Sequence, residues 1–172
     1  GALLVARASR ITAHESDVEP IEFLDQAGKR IEGDELRNSL ANAVTALADA
    51  KSPADYAESQ GWSRGISGYV NQTVPAALYC WASSPTDFRR CVENAVLLGG
   101  DTDSVAAITG AVCGANLGSD KIPAEWVERI AEWPRKNDWM KRLAMRLSEA
   151  TEENTKGTPP SMHWLATVPR NI

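Results

Sequence analysis

The sequence has 172 residues, carries a formal net charge of −5 and is 43% hydrophobic. This length and apolar content suit one domain with a buried core, which we expect over residues 1–150, followed by a polar and flexible tail over residues 151–172. The acidic balance excludes a surface that binds nucleic acid regardless of its sequence, because such a surface needs a concentrated basic stripe.

The sequence also predicts a protein that is neither embedded in a membrane nor held by disulfides. The longest weakly polar run, residues 104–117, is about six residues too short to span a bilayer, and no secretory leader opens the chain. Cys80, Cys91 and Cys113 are odd in number and lie in apolar helical stretches. We therefore expect buried thiols, a cytoplasmic location and no membrane partner.

The first fifty residues carry few strong signals. Residues 2–8 are apolar and predict the end of a helix, and residues 10–16 predict a polar connection that carries His14. Residues 21–32 alternate loosely around Gln-Ala-Gly, which is typical of a small hairpin or an irregular loop. Asp34 can then cap an amphipathic helix over residues 35–50, with apolar residues at spacings of three and four.

Three segments in the middle of the chain combine a capping residue with a proline, the usual start of a helix. They are residues 52–55, 73–75 and 84–87. They predict a short helix that ends at Gly61, a helix from Thr73 to about Ser83, and a helix from Pro85 to Leu98. The segment between the first two is rich in glycine and serine and predicts a turn with exposed backbone N–H groups.

The second half of the chain predicts three more helices. The first begins near Asp103 and repeats small residues every third or fourth position, which favours a central helix buried on all sides. Others follow over residues 122–133 and from a cap at 137 or 138 onward. His163 is expected to be exposed and to have no functional role. Since no βαβ alternation and no repeat is present, the predicted fold class is all-α.

One short segment contains the acidic residues that are candidate metal ligands. Gly99 and Gly100 end one apolar helix, and Asp101 and Asp103, with hydroxyls beside them, begin the next. Carboxylate oxygens at this spacing suit Mg²⁺ or Mn²⁺, but acids at a helix start are also favoured by the helix dipole, so the spacing leaves both interpretations open. An EF-hand is excluded, because Val112 stands where its bidentate glutamate would be.

This segment belongs to a longer stretch that resembles the C-terminal signature of the ADP-ribosylglycohydrolase family, through residues 65–70, 73–81, 99–118 and 122–126. The resemblance implies a compact all-α bundle with two Mg²⁺ or Mn²⁺ ions in a cleft that binds ADP-ribose. It implies metal ligation by the Asp-x-Asp-Ser residues Asp101, Asp103 and Ser104. It also implies ligand contacts from Gly65, Ile66, Ser67, Gly100 and Thr102, and more weakly from His14. A plain structural role for the turn at Gly65 remains an alternative.

The family's remaining metal ligands come from a Thr/Ser-Asp-Asp motif, and this sequence contains no Asp-Asp pair. The resemblance therefore implies one of two proteins. One is the C-terminal part of an Mg²⁺-dependent hydrolase that releases ADP-ribose from a protein side chain or a small molecule and is completed by an N-terminal segment. The other is a non-catalytic ADP-ribose-binding or structural homologue with a degenerate metal site. The residue that acts as general acid or base is not indicated.

Overall fold

The computed structural model describes residues 1–15, 18–130, 136–152 and 156–161, and within them the regular structure is helical, which confirms the all-α fold class. The helices are α1 (Ala2–His14), α2 (Pro20–Gly28), α3 (Asp34–Ala48), α4 (Pro53–Ser59), α5 (Val70–Ala82), α6 (Phe88–Leu97), α7 (Thr102–Leu117), α8 (Ala124–Glu128) and α9 (Asn137–Glu152), with a 3₁₀ turn at Ser119–Lys121. No helix in this described part is both long and apolar enough to cross a membrane. The chain divides into two compact units, Gly1–Ile122 and Pro123–Ile172.

Helix α7 is the centre of the first unit and packs against α1, α5 and α6. Its glycines face α6, where a Cβ on Gly114 would be in ordinary contact with a ring carbon of Phe88 at 3.5 Å. The predicted burial on all sides is wrong: Val105 and Val112 are buried, whereas Asp103 is exposed. One face of α7 is therefore in the core, and its N-terminal acid points to solvent.

Buried hydroxyl groups fix the neighbours of α7. The Thr109 hydroxyl donates to the Ala77 carbonyl of α5 at 3.1 Å, and the Thr12 hydroxyl of α1 lies 3.3 Å from the Val112 carbonyl. The Thr12 hydroxyl also has the Ala8 carbonyl of its own helix at 3.0 Å. A buried donor that lacks a partner costs more than a satisfied bond gains, so the Thr109 contact favours one arrangement of α5 and α7.

Helix α5 begins at Val70 and not at Thr73 as predicted. The N–H groups of Gln72 and Thr73 donate to the Tyr69 carbonyl, so the first turn of the helix forms before the expected cap. The Thr73 hydroxyl instead donates to the Ser67 carbonyl at 2.9 Å, and Pro75 lies inside the helix. The hydroxyl that resembled a cap thus holds the preceding turn.

The predicted hairpin or loop over residues 21–32 is wrong, because α2 occupies most of it. Pro20 stands at the first helical position, and the Glu19 carboxylate accepts the Glu22 N–H at 2.7 Å. Phe23 and Leu24 are then buried by this helix, which stabilises it through packing. The polar connection predicted at His14 is also wrong, since α1 continues through that residue.

The remaining helices of the first unit follow the prediction closely. Helices α3 and α4 form where expected, and α4 has a capping box between Ser52 and Asp55. The predicted cap of α3 is wrong, because Asp34 is its first helical residue and Gly33 occupies the N-cap position. Helix α6 begins at Phe88 and not at Pro85, because the Asp87 carboxylate accepts the Arg90 N–H and serves as the cap. The three cysteines are buried and unpaired, as the sequence predicts.

In the second unit, α9 begins at Asn137 as predicted, whereas α8 ends at Glu128, before the expected 133. Residues 131–135 lie outside the described part of the chain. So do residues 153–155 and 162–172, which include His163 and most of the predicted tail.

Candidate functional site

The turn after α4 and the start of α7 are joined by a short parallel bridge between Ile66 and Gly100. The Ile66 N–H donates to the Gly99 carbonyl at 3.1 Å, and the Asp101 N–H donates to the Ile66 carbonyl at 2.7 Å. We call Gly65, Ile66, Gly99, Gly100 and Asp101 the backbone junction. Because Ile66 is buried, the junction attaches the first acid of α7 directly to the core.

Two glycines make this approach possible. Gly65 and Gly100 have positive φ angles of +104° and +76°. A Cβ on Gly65 would lie 2.6 Å from the Gly100 nitrogen, and a Cβ on Gly100 would overlap the Ile66 carbonyl oxygen. Since the obstructing atoms belong to the backbone, no side-chain rearrangement can relieve these contacts. Glycine at positions 65 and 100 is therefore a structural requirement of the junction.

The two acids meet at the first turn of α7. Asp101 occupies the N-cap position, but its carboxylate caps no N–H group of the helix. The Asp103 carboxylate accepts the Ser104 N–H at 3.0 Å. A hydrogen bond from the Asp101 carboxyl, followed by those from backbone N–H groups, holds the pKa of Asp103 below its ordinary value. The two carboxyl groups are thus adjacent, and simple helix capping does not account for Asp101.

Residues 67–71 form an exposed segment beside these acids, which we call the outer turn. A Cβ on Gly68 would lie 3.0 Å from Oδ2 of Asp101, so the outer turn runs against that carboxylate. The Ser67 hydroxyl and N–H both donate to the Gln72 side-chain oxygen, at 2.7 Å and 3.1 Å. The Tyr69 N–H donates to the Ser67 hydroxyl at 3.3 Å.

These bonds restrict the prediction of a turn with exposed backbone N–H groups. The N–H groups of Gly65, Ile66, Ser67 and Tyr69 are all bonded within the protein, so only rearrangement would make these four available to a phosphate. For the rest of the turn the prediction stays open.

A second set of bonds connects the outer turn to α3. The Tyr69 hydroxyl donates to Oε2 of Glu35 at 3.0 Å, and the Asn71 amide donates to the same oxygen at 2.9 Å. The Asn71 amide also lies 2.9 Å from the Tyr69 hydroxyl oxygen. The bond to Glu35, and then its negative charge, raise the pKa of Tyr69. Glu35 was missed from the sequence because it belongs to no motif and lies 34 residues before Tyr69.

The structure brings together most of the residues that the sequence singled out. Gly65, Ile66, Ser67 and Gly100 meet at the junction and the outer turn, together with Asp101, Thr102, Asp103 and Ser104 at the start of α7. It does not bring His14 to them. Thr12 contacts α7 at Val112, ten residues after Thr102 and so about 15 Å along the helix, and His14 is exposed beyond Thr12.

The described residues contain no group of three or more His, Cys, Asp or Glu side chains arranged to hold a metal ion. What the site offers is one pair of carboxylates and the half-buried hydroxyl of Ser104. Mg²⁺ is commonly held by one or two carboxylates and several waters, and both Asp103 and the outer turn face solvent. These oxygen atoms therefore fit part of the coordination shell of one divalent ion.

Comparison with known proteins identifies the family of the chain. The model of the ADP-ribosylglycohydrolase family matches residues 1–157. An ADP-ribosylarginine hydrolase of Serratia proteamaculans is 40% identical over 45% of this chain and 21% of its own length. A protein of the same name from Pseudomonas putida is 36% identical over 59% of this chain and 28% of its own.

An ADP-ribosylhydrolase of Homo sapiens is 33% identical over 36% of this chain and 19% of its own length. The matched region thus spans less than a third of each of these relatives. No solved structure matches the chain.

Proposed function

Because the chain belongs to the ADP-ribosylglycohydrolase family, we propose that it forms part of the ADP-ribose site of an Mg²⁺-dependent hydrolase. The reaction is hydrolysis at the anomeric carbon of the distal ribose, which releases ADP-ribose from a modified protein side chain or a small molecule. The observation that carries the proposal is the backbone junction, which holds the Asp101 and Asp103 carboxylates beside the outer turn.

In this proposal Asp101, Asp103 and Ser104 are ligands of a divalent cation, Mg²⁺ or Mn²⁺. Such an ion supplies Lewis acidity next to the bond that breaks. The Asp103 carboxyl, whose pKa lies below its ordinary value, is ionised at neutral pH as aspartates usually are, which suits a ligand and not a general acid. The backbone junction keeps Asp101 in place, and Gly68 leaves room for its carboxylate.

Two of the relatives are named ADP-ribosylarginine hydrolases, so an ADP-ribosylarginine peptide is the first substrate to test. An ADP-ribosylserine peptide and a small-molecule conjugate are the comparisons. We expect weak or no turnover by the 172-residue chain, because two carboxylates and one hydroxyl are too few to hold two ions. Two tight Mg²⁺ sites in calorimetry of this chain would contradict that expectation.

Asp103→Ala tests the assignment of the ligands. In the complete protein it should abolish the Mg²⁺-dependent release of ADP-ribose and weaken Mg²⁺ binding by about tenfold or more, while circular dichroism shows the same helix content. Asp120→Ala, an exposed acid in the 3₁₀ turn after α7, is the matched control and should change neither property. Undiminished Mg²⁺ binding and turnover in Asp103→Ala would overturn the assignment.

The second candidate function is a non-catalytic ADP-ribose-binding or structural module. The observation that favours it is that the described residues supply a carboxylate pair and no larger group of metal ligands. If the complete protein binds ADP-ribose but releases it from none of the three substrates, with or without Mg²⁺, the result would support this alternative against the hydrolase.

A further inference from the structure

Glu35 is the point of contact between α3 and the outer turn. Its Oε2 accepts hydrogen bonds from both the Tyr69 hydroxyl and the Asn71 amide, and these two groups also contact each other. The three side chains thus form a closed triangle with sides of 2.9–3.0 Å. A single carboxylate oxygen therefore positions two residues of one short segment.

The outer turn has few other restraints on that side. Tyr69 is 50% exposed and Val70 is 42% exposed, so apolar packing holds this segment only partly. Ser67 and Thr73 form bonds within the turn and with the start of α5, but those bonds do not reach α3. Val70 also packs against Gly1 at the start of α1, and Glu35 supplies the hydrogen-bonding partner that ties the turn to α3.

The outer turn also lies beside the acids, because the backbone of Gly68 lies against the Asp101 carboxylate. We propose that Glu35 is a positioning residue, which fixes the Tyr69 ring and the outer turn as one wall of the ADP-ribose site. This inference rests on the proposed function for the identity of the ligand. Glu35 itself acts through Tyr69 and Asn71 and does not contact the ligand.

The chain offers a spectroscopic signal that is specific to this contact. It has three tyrosines, and burial raises the pKa of Tyr56 and Tyr79, that of Tyr79 to about 12. Tyr69 is the exposed one, so the first tyrosine to ionise on raising the pH reports on it. Loss of the Glu35 charge should move that first ionisation to lower pH, because the charge opposes formation of a tyrosinate.

The experiment compares Glu35→Ala, Glu35→Gln and Asp34→Asn, the last being a control that removes the neighbouring charge, which pairs with Arg37. Tyrosine absorbance is followed against pH, and amide hydrogen exchange of residues 67–71 is measured. Affinity for ADP-ribose is determined by calorimetry on the 172-residue chain. Glutamine keeps an acceptor oxygen for both donors, whereas alanine removes it.

We expect the pH at which the first tyrosine ionises to fall in both Glu35 variants and to stay unchanged in Asp34→Asn. Exchange over residues 67–71 should rise and ADP-ribose affinity should fall by about fivefold in Glu35→Ala, with glutamine restoring affinity to within about twofold. Unchanged exchange and affinity in Glu35→Ala would overturn the proposal. If the wild-type chain binds no ADP-ribose, the proposed function and the coupling to affinity fail, while exchange still decides whether Glu35 holds the turn.

Discussion

The backbone junction and the outer turn lie side by side at the start of α7 but are held by different forces. The junction is made of main-chain hydrogen bonds from Ile66 to Gly99 and Asp101, far along the chain, and it excludes any Cβ at Gly65 or Gly100. The outer turn is exposed, and side chains of Gln72, Thr73 and Glu35 hold it. The junction therefore fixes where Asp101 lies, and the turn can adjust the surface around it.

The largest loss of stability is expected at Gly100, where neighbouring backbone atoms leave no room for a Cβ. Gly100→Ala combines a positive φ with overlap against the Ile66 carbonyl, so we expect a loss of about 3 kcal/mol or more in the free energy of unfolding. Chemical denaturation measures this loss.

Gly33→Ala is the matched control for that experiment. Gly33 caps α3 with φ near −75°, and a Cβ there would meet nothing within 4 Å. We expect it to cost no more than about 1 kcal/mol, because alanine is a poorer N-cap than glycine but meets no obstruction here. Equal stabilities of the two alanine variants would contradict the rigid character of the junction.

An intermediate loss of stability is expected where α7 packs against α5. Thr109→Val removes the buried hydroxyl that joins α7 to α5, and it should reduce the free energy of unfolding by about 1 kcal/mol. Thr45→Val is the control, because that exposed hydroxyl donates only within its own helix. Similar losses of stability in both variants would show that the hydrogen bond between Thr109 and the Ala77 carbonyl adds nothing to the stability of the fold.

The smallest effect on stability is expected in the outer turn. Gly68 needs no positive φ, and its added Cβ would meet only the end of the Asp101 side chain, at 3.0 Å. Gly68→Ala should therefore leave the free energy of unfolding within about 0.5 kcal/mol of the wild type. Displacement of the carboxylate should nevertheless weaken Mg²⁺ binding by about tenfold, measured by calorimetry. A destabilisation as large as that of Gly100→Ala would remove the distinction between the two regions.

Local signals predicted the parts of the fold that depend on local chemistry. The capping box of α4, the helix over α3 and the glycine that ends α6 were all confirmed, because each is set by neighbouring residues. The failure at α2 has the same origin: Pro20 after Glu19 is a helix start, and the Gln-Ala-Gly sequence that suggested a turn lies near the helix end. Burial of Phe23 and Leu24 then favours the helix over a loop.

The site was predictable only in part. The sequence identified the acids and the glycine-rich turn, but the pairing of Ile66 with Gly100 depends on how α5 and α7 pack. The same packing places His14 far along α7 from the acids, although a short motif had associated it with them. Glu35 belongs to no motif, and tertiary structure alone brings it to Tyr69.

The most direct test of the ADP-ribose site is to map ligand binding on the 172-residue chain by heteronuclear NMR. ADP-ribose is titrated in the presence of Mg²⁺, and the Asp101→Asn/Asp103→Asn double variant serves as the comparison. The proposed site predicts amide shift changes concentrated at residues 65–69 and 99–104, and their loss in the double variant. Changes confined to other surfaces, or an identical response in the double variant, would contradict it.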